Sequence, residues 1–329
     1  MEEVLFSTDY TDISNIKNLL SQRADSIRLS LDSEPLGYQM NRAWAMLDDA
    51  MAVKNHVSGL NMYARLNELI AMADSDPEQL TARLRDALNL MLNRFRATVM
   101  IAGGANDEYT PVVKALLQKM PSTETAPVDY SVLRPAKTNE ALITSLTVHM
   151  NLLAAPTPAY AYTGKLTPIS ALIDDKYMLP RLRNVLGAYG AYSWFSNRIS
   201  ALYTYRDPNL ASSFQAFADL PEYLRAVEIT QADVDSYIVG SYGRLLPSGG
   251  KLSQARQLAD NRFQGISDSM YLGWQRDAKS TVPGDVKDTA ALIESMLKTG
   301  IRSSSGAEST MGEAKGLIDT LIRLEDVSR

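Results

Sequence analysis

Three observations in the sequence predict an α+β fold. Apart from a short strand-like segment at Val4–Ser7, the chain up to about Asn93 has an almost continuous helical pattern, and the other strand-like segments come after it. Helices and strands then alternate without the regular strand–helix–strand repeat of a parallel sheet. The 329 residues, 45% hydrophobic and 22% charged, are also sufficient for two domains that each bury a core.

The first part of the chain is predicted to hold one short strand and then only helices. Val4–Ser7 has the apolar character of a strand, and Asp12 or Ser14 can cap the helix that follows. Further helices are predicted from runs with one apolar face, and the last of them begins at a proline, which is favoured in a first helical turn. They cover Leu36–Gly59, the residues from Leu60 on, and Pro77–Asn93.

The hydrophobic pattern changes in the next segment. The apolar, β-branched run 97–102 predicts a buried strand, and residues 108–119 predict a helix. The stretch that follows is rich in Pro, Ser, Thr and Ala and has no period, which indicates a linker. We therefore predict a mostly helical first domain over residues 1–122, ending in the strand and helix of 97–119. A linker over 123–138 and a second domain over 139–329 complete the chain.

The second domain is predicted to contain strands and helices in mixed order. Strands are predicted over 141–153, 159–163, 189–196 and 199–205, and the last two are spaced as a hairpin. Helices are predicted over 169–183, 208–220, from Thr230 on, and over 261–279, 285–298 and 311–324. The serine-rich residues 303–306 are predicted to form a loop.

Composition argues against several classes of function. The net charge of −5 and the pI near 5.3 disfavour nucleic acid as the main partner, because phosphate binding needs a basic surface. Cysteine is absent, which rules out disulfides and thiolate chemistry. No apolar run is long enough to span a membrane, and the acidic N-terminus does not look like a secretion signal. We therefore expect a cytoplasmic protein without membrane contact, unless a signal lies on a preceding part of a longer chain.

The sequence offers no clear nucleophile or metal site. His56 and His149 are the only histidines, and neither has further ligands at helical or strand spacing. A protein zinc site normally needs three or four ligands, so we interpret both as ordinary core or surface histidines. The Gly-x-Ser-x-Gly motif of a nucleophilic serine is also absent.

The most informative segment is a turn of small residues between an arginine and a tyrosine. Gly187 and Ala188 precede Tyr189, Gly190 follows it, and Arg183 lies just upstream. A backbone with so little bulk can approach a ligand closely, and a guanidinium and a phenol can bind carbonyl or carboxylate oxygens.

A second segment with polar and aromatic residues follows the predicted hairpin. Arg206 and Asp207 precede Pro208, and we interpret them as an internal ion pair that fixes this turn. Tyrosines cluster around both segments, which is typical of sheet packing but is also compatible with a peptide groove. They are Tyr160, Tyr162, Tyr189, Tyr192, Tyr203 and Tyr205.

These segments resemble conserved blocks of the insulinase-type (pitrilysin-type) zinc metallopeptidases, which are hydrolases, and specifically their presequence protease branch. Residues 183–190, Arg-Asn-Val-Leu-Gly-Ala-Tyr-Gly, are similar to the family's Arg-Val-x-Gly-Gly-Ala-Tyr-Gly. Residues 205–210, Tyr-Arg-Asp-Pro-Asn-Leu, are similar to its Ser-Tyr-Arg-Asp-Pro-Asn-Leu, and include Tyr205 and Asn209. The segment from Gly59 to Leu66 and residues 93–120 also resemble the C-terminal half of such a peptidase.

The resemblance implies two α/β sandwich domains, each with a mixed or antiparallel sheet packed with helices, of which the first is incomplete here. It also implies a clamshell that encloses peptide substrates, with zinc held by an inverted His-x-x-Glu-His motif in an N-terminal half. That motif is absent from this sequence, so we expect no metal or cofactor in this chain and no catalysis by the chain alone. The matching positions for the family's substrate-binding arginine and tyrosine are Arg183 and Tyr189. Leu186 replaces the first glycine of the family's turn.

Two alternatives stay open. The chain could be a catalytically silent structural or partner subunit of the same family, working with a zinc-bearing partner. It could also be a free-standing module that captures extended peptides on a sheet edge.

Overall fold

The computed structural model describes residues 2–101, 104, 106–124, 126, 128–159, 161–246 and 249–328. The chain divides into two compact units. One consists of Met1–Ile27, Tyr63–Asp129 and Pro247–Gly265, and the other of Arg28–Met62, Tyr130–Leu246 and Ile266–Arg329. The predicted boundaries at 122 and 138 concern peptidase-family domains and stay a prediction.

The fold is α+β, as predicted. The α-helices of the described residues are α1 (Glu2–Phe6), α2 (Ile13–Ser33), α3 (Leu36–Ala45), α4 (Asp49–Ser58), α5 (Leu60–Ser75), α6 (Pro77–Met91), α7 (Asn106–Gln118), α8 (Leu166–Ile173), α9 (Ala211–Ala226), α10 (Gln231–Tyr242), α11 (Lys251–Phe263), α12 (Asp268–Lys279) and α13 (Pro283–Thr299). A π-helix, Asp174–Val185, continues α8. The strands are β1 (Glu140–Ile143), β2 (Met150–Pro156), β3 (Gly190–Phe195), β4 (Ile199–Tyr205), β5 (Ile301–Gly306) and β6 (Thr320–Ile322).

All regular secondary structure in the described part of the first unit is helical. Asp76 caps α6 by accepting a hydrogen bond from the Gln79 N–H (3.0 Å), with Pro77 in the first turn as predicted. Two sequence predictions are wrong here. Residues 2–6 form α1 instead of a strand, and residues 97–101 are irregular, while Ala102 lies outside the described residues. The described part of this unit contains no strand with which 97–101 could pair.

One six-stranded mixed sheet forms the centre of the second unit, in the order β3-β4-β2-β5-β1-β6. β5, β1 and β6 are parallel, and β2, β4 and β3 continue the sheet in antiparallel pairs. The predicted hairpin is confirmed as β3 and β4. The predicted strand 141–153 is two strands, β1 and β2, separated by a loop.

Helices cover both faces of this sheet, which explains why β2 is buried along most of its length. Leu153 and Ala155 point into a core with α8, α9 and α13. Leu152 and Ala154 point to the opposite face, where they pack with Ala43 of α3. The alternation follows from the two-residue period of a strand. β2 is a central strand buried on both sides, so its apolar run is continuous.

Three further predictions in this region are wrong. Residues 303–306, predicted as a loop, belong to the interior strand β5, in which the Ser304 hydroxyl donates to Asn151 Oδ1 (2.9 Å). The predicted helix 311–324 is a 3-10 helix, Glu308–Ala314, followed by β6. The predicted helix 261–279 is interrupted after α11, where Gly265 adopts a φ of 73° that ends a helix.

No helix among the described residues is long and apolar enough to cross a membrane.

Candidate functional site

The turn between Arg183 and Tyr189 ends the π-helix, and Gly187 is the residue at which the chain leaves the helical conformation. The Leu186 N–H donates to the Arg181 carbonyl (3.2 Å), and the Ala188 N–H donates to the Leu182 carbonyl (2.9 Å). Leu186 keeps ordinary helical angles (φ −91°, ψ −11°), whereas Gly187 has a φ of +86°. The left-handed conformation that favours glycine is therefore confined to position 187, and the leucine at 186 fits this turn without backbone strain.

Arg183 and Tyr189 are held together on the surface. The Arg183 Cζ lies 5.6 Å from the centroid of the Tyr189 ring, within the range of a cation–π contact. Arg183 is exposed, and Tyr189 is 65% exposed, although the adjacent Ala188 is buried. A buried backbone thus supports two exposed side chains with hydrogen-bond donors.

The second predicted segment packs directly against this turn. The Tyr189 N–H donates to the Arg206 carbonyl (3.2 Å), and the Tyr189 ring meets the Tyr205 ring edge-on with centroids 5.9 Å apart. The Tyr205 hydroxyl donates to Glu34 Oε2 (2.8 Å), and this hydrogen bond raises the pKa of Tyr205. The Arg206 guanidinium also faces Glu34, at 3.7 Å, and lies over the Tyr205 ring at 5.4 Å.

The predicted ion pair between Arg206 and Asp207 is wrong, because the two side chains point to different partners. Asp207 is fully buried and accepts hydrogen bonds from the Ser213 hydroxyl (2.6 Å) and the Asn151 amide (3.1 Å). Arg206 has a φ of 46°, an uncommon conformation for a non-glycine residue, and its side chain is directed outward to Glu34.

The segment 207–209, in which Asp207 is buried, holds the turn in place. The Asn209 amide donates to the Leu186 carbonyl (2.6 Å), and the Asn209 N–H donates to Asp207 Oδ1 (2.9 Å). Pro208 Cγ lies 3.5 Å from the point that a Cβ at Gly187 would occupy. The two segments identified in the sequence therefore form one site.

A third group of residues was not identified from the sequence. Ser193, in the edge strand β3, donates its N–H to Asp174 Oδ1 (2.6 Å) and accepts from the Ser170 hydroxyl at its carbonyl (3.0 Å). The Ser193 hydroxyl also donates to Asp174 (2.8 Å). Burial raises the pKa of Asp174 to about 6, although the hydrogen bonds from Ser193 act in the opposite direction. These contacts tie the π-helix that carries Arg183 to the strand that follows Tyr189.

Comparison with known proteins shows which sequences and folds this chain resembles. Residues 144–302 match the family described as PreP C-terminal domain. The chain is 22% identical over 333 aligned residues to Protein HypA of Clostridium perfringens, covering 98% of this chain and 33% of that protein. It is 24% identical over 314 residues to Presequence protease 1, chloroplastic/mitochondrial, of Arabidopsis thaliana, covering 92% and 28%. The crystal structure of pitrilysin superposes with a TM-score of 0.66 at 13% identity, over 98% of this chain and 34% of that one.

This chain is related to the C-terminal half of an insulinase/pitrilysin-type peptidase. It spans about a third of the length of the curated relatives that it matches. The matched residues 144–302 include both segments of the Arg183–Tyr189 site.

The histidines do not belong to the Arg183–Tyr189 site. His56 Nδ1 is 3.0 Å from the Ala52 carbonyl, and its Nε2 is 3.0 Å from the Asn61 amide nitrogen. These distances assign the Nδ1–H tautomer, with Asn61 as the donor to Nε2. His149 is buried and pairs with Asp207 through the backbone. Within the described ranges, no three His, Cys, Asp or Glu residues are grouped so that they could hold a metal ion.

The predicted tyrosine cluster is divided between two places. Tyr162 packs edge-on against Trp274, with centroids 5.1 Å apart, whereas Tyr160 lies outside the described residues. The other four tyrosines belong to the β3–β4 hairpin and its approach: Tyr189, Tyr192, Tyr203 and Tyr205.

Proposed function

We propose that this chain is the non-zinc C-terminal segment of a presequence-protease-like zinc metalloendopeptidase that degrades peptides. In this proposal it encloses substrate together with an N-terminal half and supplies Arg183 and Tyr189 to the shared active site. The observation that carries it is the exposed pair of Arg183 and Tyr189 on a hydrogen-bonded turn inside the PreP C-terminal domain match.

The two side chains can bind and orient a peptide bond while it is hydrolysed. The Arg183 guanidinium and the Tyr189 hydroxyl can donate hydrogen bonds to a substrate carbonyl and to the negative charge that develops on its oxygen. Their supporting backbone is already hydrogen-bonded to Arg206 and to the π-helix, so little ordering is needed when a substrate binds.

The zinc that the family implies does not fit the residues of this chain. The sequence lacks the inverted His-x-x-Glu-His motif, and the described residues contain no group of three potential metal ligands. We therefore assign the metal and the attacking water to the proposed N-terminal half, and assign to this chain only binding and orientation of the peptide.

Two peptidase assays test the proposal. The chain alone, supplemented with zinc, should give background cleavage of an unstructured peptide, and metal-dependent turnover would contradict the assignment of zinc to another segment. With a zinc-bearing N-terminal half added or fused, turnover should appear. Tyr189→Phe and Arg183→Met should then each lower kcat by about 10²–10³-fold, the usual loss for one oxyanion donor.

A matched control separates catalysis from loss of structure. Tyr109→Phe removes an equally exposed hydroxyl, from α7, and should leave turnover unchanged. Normal turnover of the Tyr189→Phe and Arg183→Met variants would refute the proposed roles and favour a silent structural or partner subunit.

A further inference from the structure

A row of aromatic side chains continues from the Arg183–Tyr189 turn along the hairpin. We define the aromatic row as Tyr189, Tyr192 and Trp194, which are 65%, 38% and 48% exposed. Each ring has a second ring beside it. Tyr205 lies 5.9 Å from Tyr189, Tyr203 lies 5.4 Å from Tyr192, and Trp44 of α3 lies 6.0 Å from Trp194.

The register of the hairpin sets the spacing of the residues that form and support this row within β3 and β4. Tyr192 pairs with Tyr203, and Gly190 pairs with Tyr205 two residues earlier. Alternate residues of a strand point to the same face and are about 7 Å apart, since each residue rises by about 3.3 Å. Tyr192 and Trp194 in β3, and Tyr203 and Tyr205 in β4, are therefore separated along their strands by the interval between alternate residues of an extended peptide.

A glycine keeps the row continuous. A Cβ at Gly190 would lie 2.8 Å from Cε2 of the Tyr192 ring, closer than atoms can approach. The absence of a side chain at 190 thus lets the Tyr192 ring lean along β3 towards Tyr189. The backing rings restrict rotation of the exposed ones, which lowers the entropy lost on binding.

The edge of β3 is less suited to binding than its face. Both backbone polar groups of Ser193, in the middle of β3, already bond to the side chains of Asp174 and Ser170. A peptide strand added at this edge would have to displace them, and such recognition depends on main-chain hydrogen bonds. The aromatic face requires no such displacement.

We propose that the aromatic row is a docking surface for an extended peptide substrate that carries aromatic or large aliphatic side chains at alternate positions. This inference rests on the proposed function and specifies its substrate class. Tyr189 belongs to both features, so a peptide on the row leads directly to Arg183. The Arg183 guanidinium has no ion-pair partner in the part of the chain that the structure describes, and it is available to a carbonyl or carboxylate of that peptide.

Two peptides of identical composition test the spacing. One carries four Phe residues at alternate positions in a Ser/Gln background, and the other carries the same four Phe residues in one block. We expect the alternating peptide to bind at least about 5-fold more tightly, measured by anisotropy of a labelled peptide and by the combined emission change of Trp44 and Trp194 in a Trp274→Phe background. Equal affinities would overturn the inference.

Variants locate the binding on the row. Tyr192→Thr and Trp194→Thr retain a residue type that favours strands, and each should lower the affinity for the alternating peptide about 5-fold or more. Tyr109→Ala removes an exposed ring outside the row and should change nothing. Circular dichroism and melting temperature verify that the variants fold. Unchanged affinity in folded row variants would refute the docking surface, as would a dimer that these variants dissociate, since a second copy would then cover the row.

The outcomes separate this inference from the proposed function. Tyr189→Phe retains the ring, so it should preserve peptide affinity while lowering turnover with the N-terminal half. If row variants bind peptide normally and Tyr189→Phe still abolishes turnover, the docking surface fails alone. If the alternating peptide is preferred but the Arg183 and Tyr189 variants turn over normally, only the proposed catalytic role fails.

Discussion

Replacing Asp174 by asparagine should make the protein more stable at neutral pH and remove part of its pH dependence. Asp174 accepts two hydrogen bonds from Ser193, and an asparagine Oδ1 can accept the same bonds without a charge. Burial removes the carboxylate from water and destabilises its charged form, which raises the pKa of Asp174 from 3.8 to about 6.

The size and sign of the effect follow from this pKa. The native protein holds the Asp174 proton more tightly than the unfolded chain, so the free energy of unfolding falls as the pH rises from about 4 to about 6. The interval from 3.8 to about 6, at about 1.36 kcal/mol for each pH unit, corresponds to about 3 kcal/mol. About 2 kcal/mol of this lies between pH 4.5 and 7.5.

Urea unfolding of the wild type and Asp174→Asn at pH 4.5, 5.5, 6.5 and 7.5 measures this quantity. The asparagine variant should gain about 2 kcal/mol relative to the wild type across that range. Burial also raises the pKa of Glu140, but that contribution is common to both proteins and cancels in the difference. Asp235→Asn, which changes an exposed carboxylate, should show a much smaller change. A difference that is independent of pH, or one in which Asp174→Asn loses stability as pH rises, would refute the reasoning.

Three other substitutions test the packing around the site and the sheet. Gly187→Ala should lower the free energy of unfolding by about 1–2 kcal/mol, because alanine is strained at a φ of +86° while Pro208 leaves room for its Cβ. Arg42→Met should cost about 3–5 kcal/mol by leaving buried Glu140 without its partner, and adding Glu140→Leu should recover most of it. Phe217→Ala should cost about 3–5 kcal/mol, since this side chain is fully buried. Urea unfolding at pH 7.5 measures each, and losses below about 0.5 kcal/mol would contradict the packing described.

Elements whose signal is local were predictable from the sequence. The β3–β4 hairpin has alternating aromatic residues, and α10 begins with a capping box in which Thr230 and Asp233 bond each other's backbone. The turn at Gly187 was predictable because small residues permit backbone conformations that bulkier residues disfavour. In each case neighbouring residues contain the information that decides the structure.

Elements that depend on distant partners were not predictable. The serines of β5 read as a loop, and they form an interior strand because β2 and β1 lie on either side and Asn151 satisfies the Ser304 hydroxyl. The run 97–101 is the opposite case. Its residues favour a strand, but the described part of its unit contains no strand with which it could pair. The contact of Asn209 with Leu186 joins residues that no sequence period relates.

Contacts between residues that are distant in sequence also explain how the candidate site combines a rigid backbone with exposed side chains. The polar groups beneath it are satisfied internally, with Asp207 bound by Ser213 and Asn151. Buried polar groups that are fully paired fix one backbone arrangement, because any shift would leave a donor or acceptor unsatisfied. The backbone that carries Arg183 and Tyr189 is therefore held in one arrangement. Disrupting Asp207 should consequently displace the pair even though this carboxylate is fully buried, with no path to a peptide on the surface.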